Sequence, residues 1–347
     1  MVGAVLVNRG AILGEGFHAA AGEDHAEVAC LKSLLIQGRR VSKGATLYVT
    51  LEPCSTHGRT PPCTEAIVDA GIKEVVVGNL DPNPSHNGVG IERLREQGVS
   101  VRTGILEREC RRLNKAFNHW IVTGKPWVLG KIAMTLDGKI ATAAGQSKWI
   151  TGEKSRQQAM RLRFESDAIL VGIETVLQDD PHLTVRDGRL KKRRPLRPII
   201  LDSRARIPLT SRCLGDGNPA RALVVVGEKA SARRIDALKK VADVWVCPLG
   251  SNGRLNVAKL ISHLGRERII QLMVEGGGEV LGSFFDRALI DSVAFFYAPK
   301  ILGGRDARPA FGGMGATRME QLGRLRDVQW RRLGVDQLMT GDIEKFN

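Results

Sequence analysis

His25 and Glu27 in "HAEVACL" (25–31), with Cys54 and Cys63 in "EPCSTHGRTPPC" (52–63), are residue types that together perform metal-assisted hydrolysis. One imidazole and two potential thiolates fill three positions of a tetrahedral zinc ion and leave the fourth for water, as in a catalytic rather than a closed structural site. Zinc so held lowers the pKa of that water, and Glu27, beside the metal but not bound to it, is placed to shuttle the proton. Singly the pieces are weak: His-X-Glu is usually a surface turn, and two cysteines at this separation are usually packing residues. Both His25 and Cys63 stand at predicted helix starts, where the helix dipole favours a cysteine thiolate.

The rest of the chain must position these groups. With 347 residues it exceeds one average domain, and two domains of roughly 100 to 200 residues each are expected. No apolar run approaches the roughly 18 residues of a membrane span. The opening "MVGAVLVNRGAILGEG" lacks a basic region and a small-residue cleavage site and reads as a strand, not a signal peptide. Cys30, Cys54, Cys63, Cys110, Cys213 and Cys247 are too sparse for a disulfide scaffold, so reduced thiols and a cytoplasmic location are expected. The net charge of +15 points to anionic partners, nucleic acid or phosphorylated small molecules, without choosing between them. The densest basic run, "RLKKRRPLRP" (189–198), holds two prolines between strand-like segments and reads as a solvated loop.

Short β-like and helical runs alternate through the first third: a strand at 4–7, a helix over 27–37, a strand at 46–51, a helix over 64–70 closed by Gly71, and a strand at 74–78. In the first helix Val28, Leu31 and Leu35 fall at helical spacing and are expected to form its buried stripe. A helical stretch over 107–124 ends in Gly-Lys-Pro, which places a domain boundary near 120–126. Beyond it a strand over 127–142 leads into a second α/β domain. Its strands are expected at 168–173, 198–202, 222–227, 244–249, 269–276 and 292–302, and its helices near 154–165, 231–240 and 279–288. No internal repeat or low-complexity tract occurs.

The order His-X-Glu, then Pro-Cys, then Cys, each half opening a helix, resembles the signature of zinc deaminases acting on nucleobases. Their common spacing leaves two residues between the cysteines; here "STHGRTPP" intervenes. With "DPNP" (81–84), "GKIAMTLDGKIAT" and "SKWIT", that insertion resembles the bifunctional deaminase/reductase family of riboflavin biosynthesis over nearly the whole chain. The resemblance implies an α/β protein with a cytidine-deaminase-like α/β/α domain over 1–122 and a dihydrofolate-reductase-like α/β domain over 126–347. It implies Zn²⁺ on His25, Cys54 and Cys63 and Glu27 as the acid/base. It makes Arg59 a phosphate contact to a ribosyl-phosphate pyrimidine, for which a guanidinium fork is suited. Thr56 departs from the family, which often has His there, and His57 is the candidate replacement.

In the second half, "VEGGGEVLGSFF" (274–285) reads as strand, glycine turn and helix, able to hold a phosphate on free N–H groups. It fails the ordinary dinucleotide fingerprint, because Leu281 stands where a third glycine belongs, and a plain tight turn is the other reading. The resemblance implies NADPH contacts at Trp149, Thr175, Asp179, Ser203, Gly277, Gly278, Glu279, Val280, Leu281, Gly282 and Ser283, with Ala133 a backbone contact. It implies substrate contacts at Ser147, Arg163, Leu183, Arg186 and Glu275, and makes Lys131 the residue that orients or protonates the open-chain sugar. Without the resemblance, Arg163 reads as a surface arginine, Trp149 as a core residue and Asp179-Asp180-Pro181 as a helix-capping turn.

The expected reaction is deamination followed by hydride delivery to the ribose, in a homo-oligomer without nucleic-acid or membrane partners. One rival is a tRNA or nucleoside base deaminase with an unrelated C-terminal domain; it predicts steeply salt-dependent RNA binding. Others are a zinc-stabilised scaffold, which would not need Glu27, and a chain in which only the reductase works. The family usually begins with a further helix and a Pro-Asn-Pro-like turn before the strand at Val2-Gly3, so a misassigned start is the simplest expectation. If the truncation is real, the first strand should lose its cover and deaminase activity should fall; an upstream-extended chain with the same deaminase rate and melting behaviour would refute that.

Overall fold

In the computed structural model, which describes residues 2–344 apart from 21, 59, 189, 191–193, 216–218 and 251, two units are resolved, Met1–Thr123 and Gly124–Asn347. The opening apolar run is not one strand but a hairpin, β1 (Gly3–Asn8) and β2 (Ala11–Phe17). Arg9 and Gly10 between them both have positive φ, 47° and 79°, as the tightest hairpin turns require. There follow α1 (Ala26–Ile36), β3 (Thr46–Val49), α2 (Cys63–Asp69), β4 (Glu74–Val77), α3 (Val89–Glu96) and β5 (Ser100–Thr103). The sheet order is β2-β1-β3-β4-β5, with β3, β4 and β5 parallel. The helical stretch after it is broken at Asn114 into α4 (Glu107–Leu113) and α5 (Lys115–Thr123).

The buried face of α1 is not the expected stripe. Ala26, Glu27, Cys30 and Leu34 are buried, Val28 and Leu31 are half-buried, and Leu35 is 63% exposed. The rotation buries Glu27 and puts Ala26, Cys30 and Leu34 in the core with Leu6, Leu47, Ile67 and Val75. A strongly apolar helix carries no contrast to mark its inner face, so the sheet decided it.

The second unit contains β6 (Trp127–Thr135), β7 (Lys139–Ala141), α6 (Glu153–Glu165), β8 (Ala168–Gly172), α7 (Ile173–Asp179), β9 (Arg197–Leu201), β10 (Leu223–Gly227), α8 (Ala232–Lys239), β11 (Asp243–Cys247), α9 (Val257–Arg266), β12 (Gln271–Val274), α10 (Gly278–Phe285), β13 (Ser292–Ala298), β14 (Arg308–Pro309), β15 (Leu325–Leu333) and β16 (Asp336–Ile343). The expected strand over 127–142 is thus two, and β7 pairs with β14 outside the main sheet. Nine strands run β11-β10-β9-β8-β12-β6-β13-β16-β15, parallel from β11 to β13.

Because β12 inserts between β8 and β6, the strand order reverses there, and the crevice at the strands' carboxyl ends is where such sheets bind ligands. α9 and α10 contribute Leu260, Leu264, Leu281 and Phe284 to one core. Other cores contain Val176 of α7 with Leu238 of α8, and Leu162 of α6. Burial on both faces explains the near-continuous apolar runs of β8 and β10. Gly282 lets α10 lie against the chain at Gly312, whose carbonyl oxygen would stand 2.1 Å from an added Cβ.

Leu34→Ala should cost about 2–5 kcal/mol by leaving a cavity, whereas Leu35→Ala should change stability by about 0.5 kcal/mol or less; denaturant unfolding of the two variants compares them. Gly282→Ala should destabilise the second unit by about 1–3 kcal/mol through forced backbone displacement, read as a lowered thermal midpoint.

Candidate active sites

His25 is the residue on which α1 begins, in extended conformation, and its carbonyl accepts the N–H of Ala29 at 2.9 Å. Cys54 lies in the loop after β3, and Cys63 opens α2. The N–H of Thr64 donates to the Cys54 carbonyl at 3.1 Å and that of Cys63 to the Cys54 sulfur at 3.3 Å, tying the second cysteine to the first. His25 Nδ1 is 3.3 Å from Cys54 Sγ and 3.2 Å from Cys63 Sγ, and Nε2 is 3.4 Å from Thr60 Oγ1. All three ligand atoms fall within 4.8 Å of one another. A tetrahedral zinc with ordinary bond lengths separates its nitrogen and sulfur ligands by about 3.6 Å, so donor set and spacing fit this metal with one position left over.

The hydrogen bond with Cys63 and that with His25 lower the Cys54 thiol below its ordinary range. Cys63 is pushed up by the same hydrogen bond with Cys54 and by burial. A bound zinc would take both as thiolates. Glu27 is 3% exposed, and burial pushes its carboxyl up to about 7, where a group can both accept and return a proton near neutrality. Thr56 and His57 are exposed, with His57 Nε2 3.6 Å from Glu65. Arg59, and Arg189 with residues 191–193 of the basic run, lie outside the described residues.

In the second unit Lys131 of β6, Arg163 of α6 and Glu275, one residue past β12, converge. Lys131 Nζ donates to Glu275 Oε1 at 2.7 Å, and Arg163 Nε to Oε2 at 3.0 Å. Burial would raise the Glu275 carboxyl, but the Arg163 and Lys131 charges hold it at about 2. Arg163 is 8% exposed and also donates to the Thr184 carbonyl, so it is not a surface arginine. Glu275 spends both oxygens on these two cations, which orients the lysine and the guanidinium.

Of the other expected positions, Thr175 and Asp179, Ser203 and the Gly277–Ser283 turn follow β8, β9 and β12. Ala133 follows Lys131 on the same face of β6. Thr175 and Asp179 lie on α7, whose last residue is Asp179; this is a helix end rather than a helix start. Ser203 lies just past β9, and its carbonyl accepts the N–H of Gly227. Leu183 and Leu281 have their side chains in the cores, leaving backbone for contacts there. Gly278 and Gly282 owe their lack of a side chain to the neighbouring Pro309–Gly313 backbone, while a Cβ on Gly277 would meet nothing within 4 Å. Glu279 pairs with Arg254 and Ser283 with Arg287, while Val280 packs at Gly276. Ser147 is half-buried, and Arg186 is exposed without an ion pair among the described residues.

Trp149 is 66% exposed, not a core residue, and the Arg156 guanidinium lies 4.8 Å over its ring. Lys148 pairs with Asp179 at 3.0 Å. Asp336 accepts from Gly152 N at 2.7 Å and Ser155 Oγ at 2.6 Å, fixing the start of α6. Sequence reasoning missed Arg156, Lys148 and Asp336; Asp336 is far along the chain, and no local pattern links it to residue 152.

The low folded pKa of Glu275 relative to its ordinary 4.5 adds stability that is complete above about 4.5 and is lost as pH falls toward about 2, on the order of 3 kcal/mol. Melting temperature against pH should lose this component in Glu275→Gln, which should also be destabilised at neutral pH by about 3–5 kcal/mol for leaving two cations unpaired.

Comparison with known families finds two matches: the cytidine and deoxycytidylate deaminase zinc-binding region over residues 1–79 and the RibD C-terminal domain over residues 126–339. The riboflavin biosynthesis protein RibD of Aquifex aeolicus is 44% identical over 335 residues, covering 96% of this chain and 90% of that protein. The solved structure of Acinetobacter baumannii RibD, form 1, is 35% identical with a TM-score of 0.85, covering 99% of this chain and 92% of the other. A diaminohydroxyphosphoribosylaminopyrimidine deaminase/5-amino-6-(5-phosphoribosylamino)uracil reductase from Thermotoga maritima is 36% identical with a TM-score of 0.82, covering 99% and 91%. Cytidine-deaminase-like and reductase units in one chain, matched over nearly its whole length by such relatives, place this protein in the RibD family of bifunctional riboflavin-biosynthesis enzymes.

Proposed function

We propose that the first unit hydrolytically deaminates 2,5-diamino-6-(5-phosphoribosylamino)pyrimidin-4-one and that the second reduces the ribosyl side chain of the product to ribityl with NADPH. Both steps belong to riboflavin biosynthesis, as membership of the RibD family entails. The observation that carries the reading is Glu27, a buried carboxyl two residues from His25 of a three-donor zinc-type cluster, in one chain with the Lys131–Glu275–Arg163 cluster. The RibD C-terminal domain match removes the base deaminase with an unrelated second domain from contention.

His25, Cys54 and Cys63 would hold the zinc, which when bound activates water as a Lewis acid. Glu27 would move a proton from water to the departing amino group, so that the ring carbon exchanges its C–N bond for a C–O bond and ammonia leaves. In the second unit NADPH supplies the hydride. Trp149, Thr175, Asp179, Ser203, Ala133 and the Gly277–Ser283 turn position the cofactor. Lys131, aimed by Glu275, would orient the ring-opened sugar and give the proton that balances the hydride added to its C=N carbon. Arg163 and Glu275 fix that geometry, and Ser147, Leu183 and Arg186 complete the substrate cleft, while Arg59 serves the phosphate in the first unit. No helix among the described residues is long and apolar enough to cross a membrane. The proposal includes a cytoplasmic homo-oligomer that acts on this small phosphorylated substrate and not on nucleic acid or membranes.

Mass analysis of products tests both halves. Without NADPH the protein should yield only the deaminated compound; with it, the deaminated and reduced one. Glu27→Gln should slow deamination by about 10²–10⁴-fold and still reduce pre-deaminated substrate, and Lys131→Met should show the converse. Stripping the metal with a chelator should abolish the first step alone, with zinc restoring it. A substrate left untouched while pre-deaminated material is reduced would leave only the reductase.

A further inference from the structure

Glu52 is 5% exposed and touches none of the groups assigned so far, yet it is one of the most heavily bonded carboxylates in the first unit. Oε2 accepts the N–H groups of Asp81 and Gly88, both at 3.0 Å, and Oε1 those of Gly90 at 2.9 Å and Ile91 at 3.3 Å. Its own N–H donates to the Asn79 carbonyl at 2.9 Å. One side chain therefore gathers both ends of the segment between β4 and α3. The segment is wound to suit. Asp81 accepts from Asn83 N, and Asn83 from Ser85 N. Gly88 has φ +82°, and an added Cβ on Gly90 would stand 2.1 Å from the Pro53 carbonyl oxygen.

Glu52 is also two residues before Cys54. The wound segment is thus clamped directly against the stretch that carries a proposed zinc ligand, and Arg93 of α3 donates to the Ser55 carbonyl on the far side of that ligand at 3.3 Å.

We infer that Glu52 is a positioning residue for the deaminase, its carboxylate serving as the post on which residues 81–91 are wound to form the pocket wall beside Cys54. The inference rests on the deaminase reading above. The wall supplies none of the zinc ligands, and Glu27 and His25 are set by α1, so loosening the wall weakens ground-state and transition-state binding alike. Such a loss raises KM and leaves kcat in place.

Glu52→Gln keeps the shape of the side chain but leaves an amide NH₂ facing two N–H donors. In the zinc-loaded full-length variant, KM for the diaminopyrimidine ribosyl-phosphate should rise about tenfold, with kcat within about twofold, zinc content unchanged, and reduction of pre-deaminated substrate as in the wild type. Hydrogen exchange should accelerate at the amides of Asp81, Gly88, Gly90 and Ile91 and not in α1. If Glu52→Gln does not fold, Gly90→Ala displaces the same segment with the carboxylate intact and should raise KM likewise. A lower melting temperature with wild-type KM would make Glu52 a structural strut and overturn the inference, as would loss of zinc or an unchanged KM in Gly90→Ala. An inactive wild-type deaminase would overturn the underlying reading, and the inference with it.

Discussion

Parallel strands all end at one edge, and much of the chemistry in this protein hangs on that constraint. Cys54 follows β3, and the segment clamped by Glu52 follows β4, its parallel neighbour. In the second unit Glu275, Ser203 and α7 follow β12, β9 and β8, all parallel members of one sheet. Side chains distant in sequence reach a common site because hydrogen-bonded register leaves them nowhere else to go. Lys131 and Glu275 are joined at 2.7 Å across 144 residues of chain by this means.

Within those frames, two buried glutamates meet opposite fates. Glu27 has burial as its largest influence and rises to about 7. Glu275 lies between a lysine and an arginine and falls to about 2. The residue type is the same; the count of nearby cations decides whether it exchanges protons or serves as a fixed charge. The first suits a proton shuttle. The second suits a fixed negative charge that holds its neighbours aimed.

The chemistry was legible where it is written in residue type and order. His25, Glu27, Cys54 and Cys63 could be singled out because few other functions use that set, and the strands β8 and β10 because two-sided burial demands unbroken apolar runs. α9 was missed although Val257, Leu260, Ile261 and Leu264 carry a helical period and are all buried. β15 carries no such signal: nearly every residue is exposed, and it is a strand because β16 pairs with it from Leu325–Ile343 to Leu333–Asp336.

Sequence by itself determined the α/β alternation, the donor set of the zinc-type cluster and the glycine turn, since each depends on local backbone preference or on the chemistry of single residues. Tertiary structure decided which face of α1 is buried, that His25, Cys54 and Cys63 meet, that Arg163 belongs to a buried ion pair, and that Trp149 is exposed beneath a guanidinium. These depend on distances between segments remote along the chain, and burial and charge proximity exist only once those segments have packed.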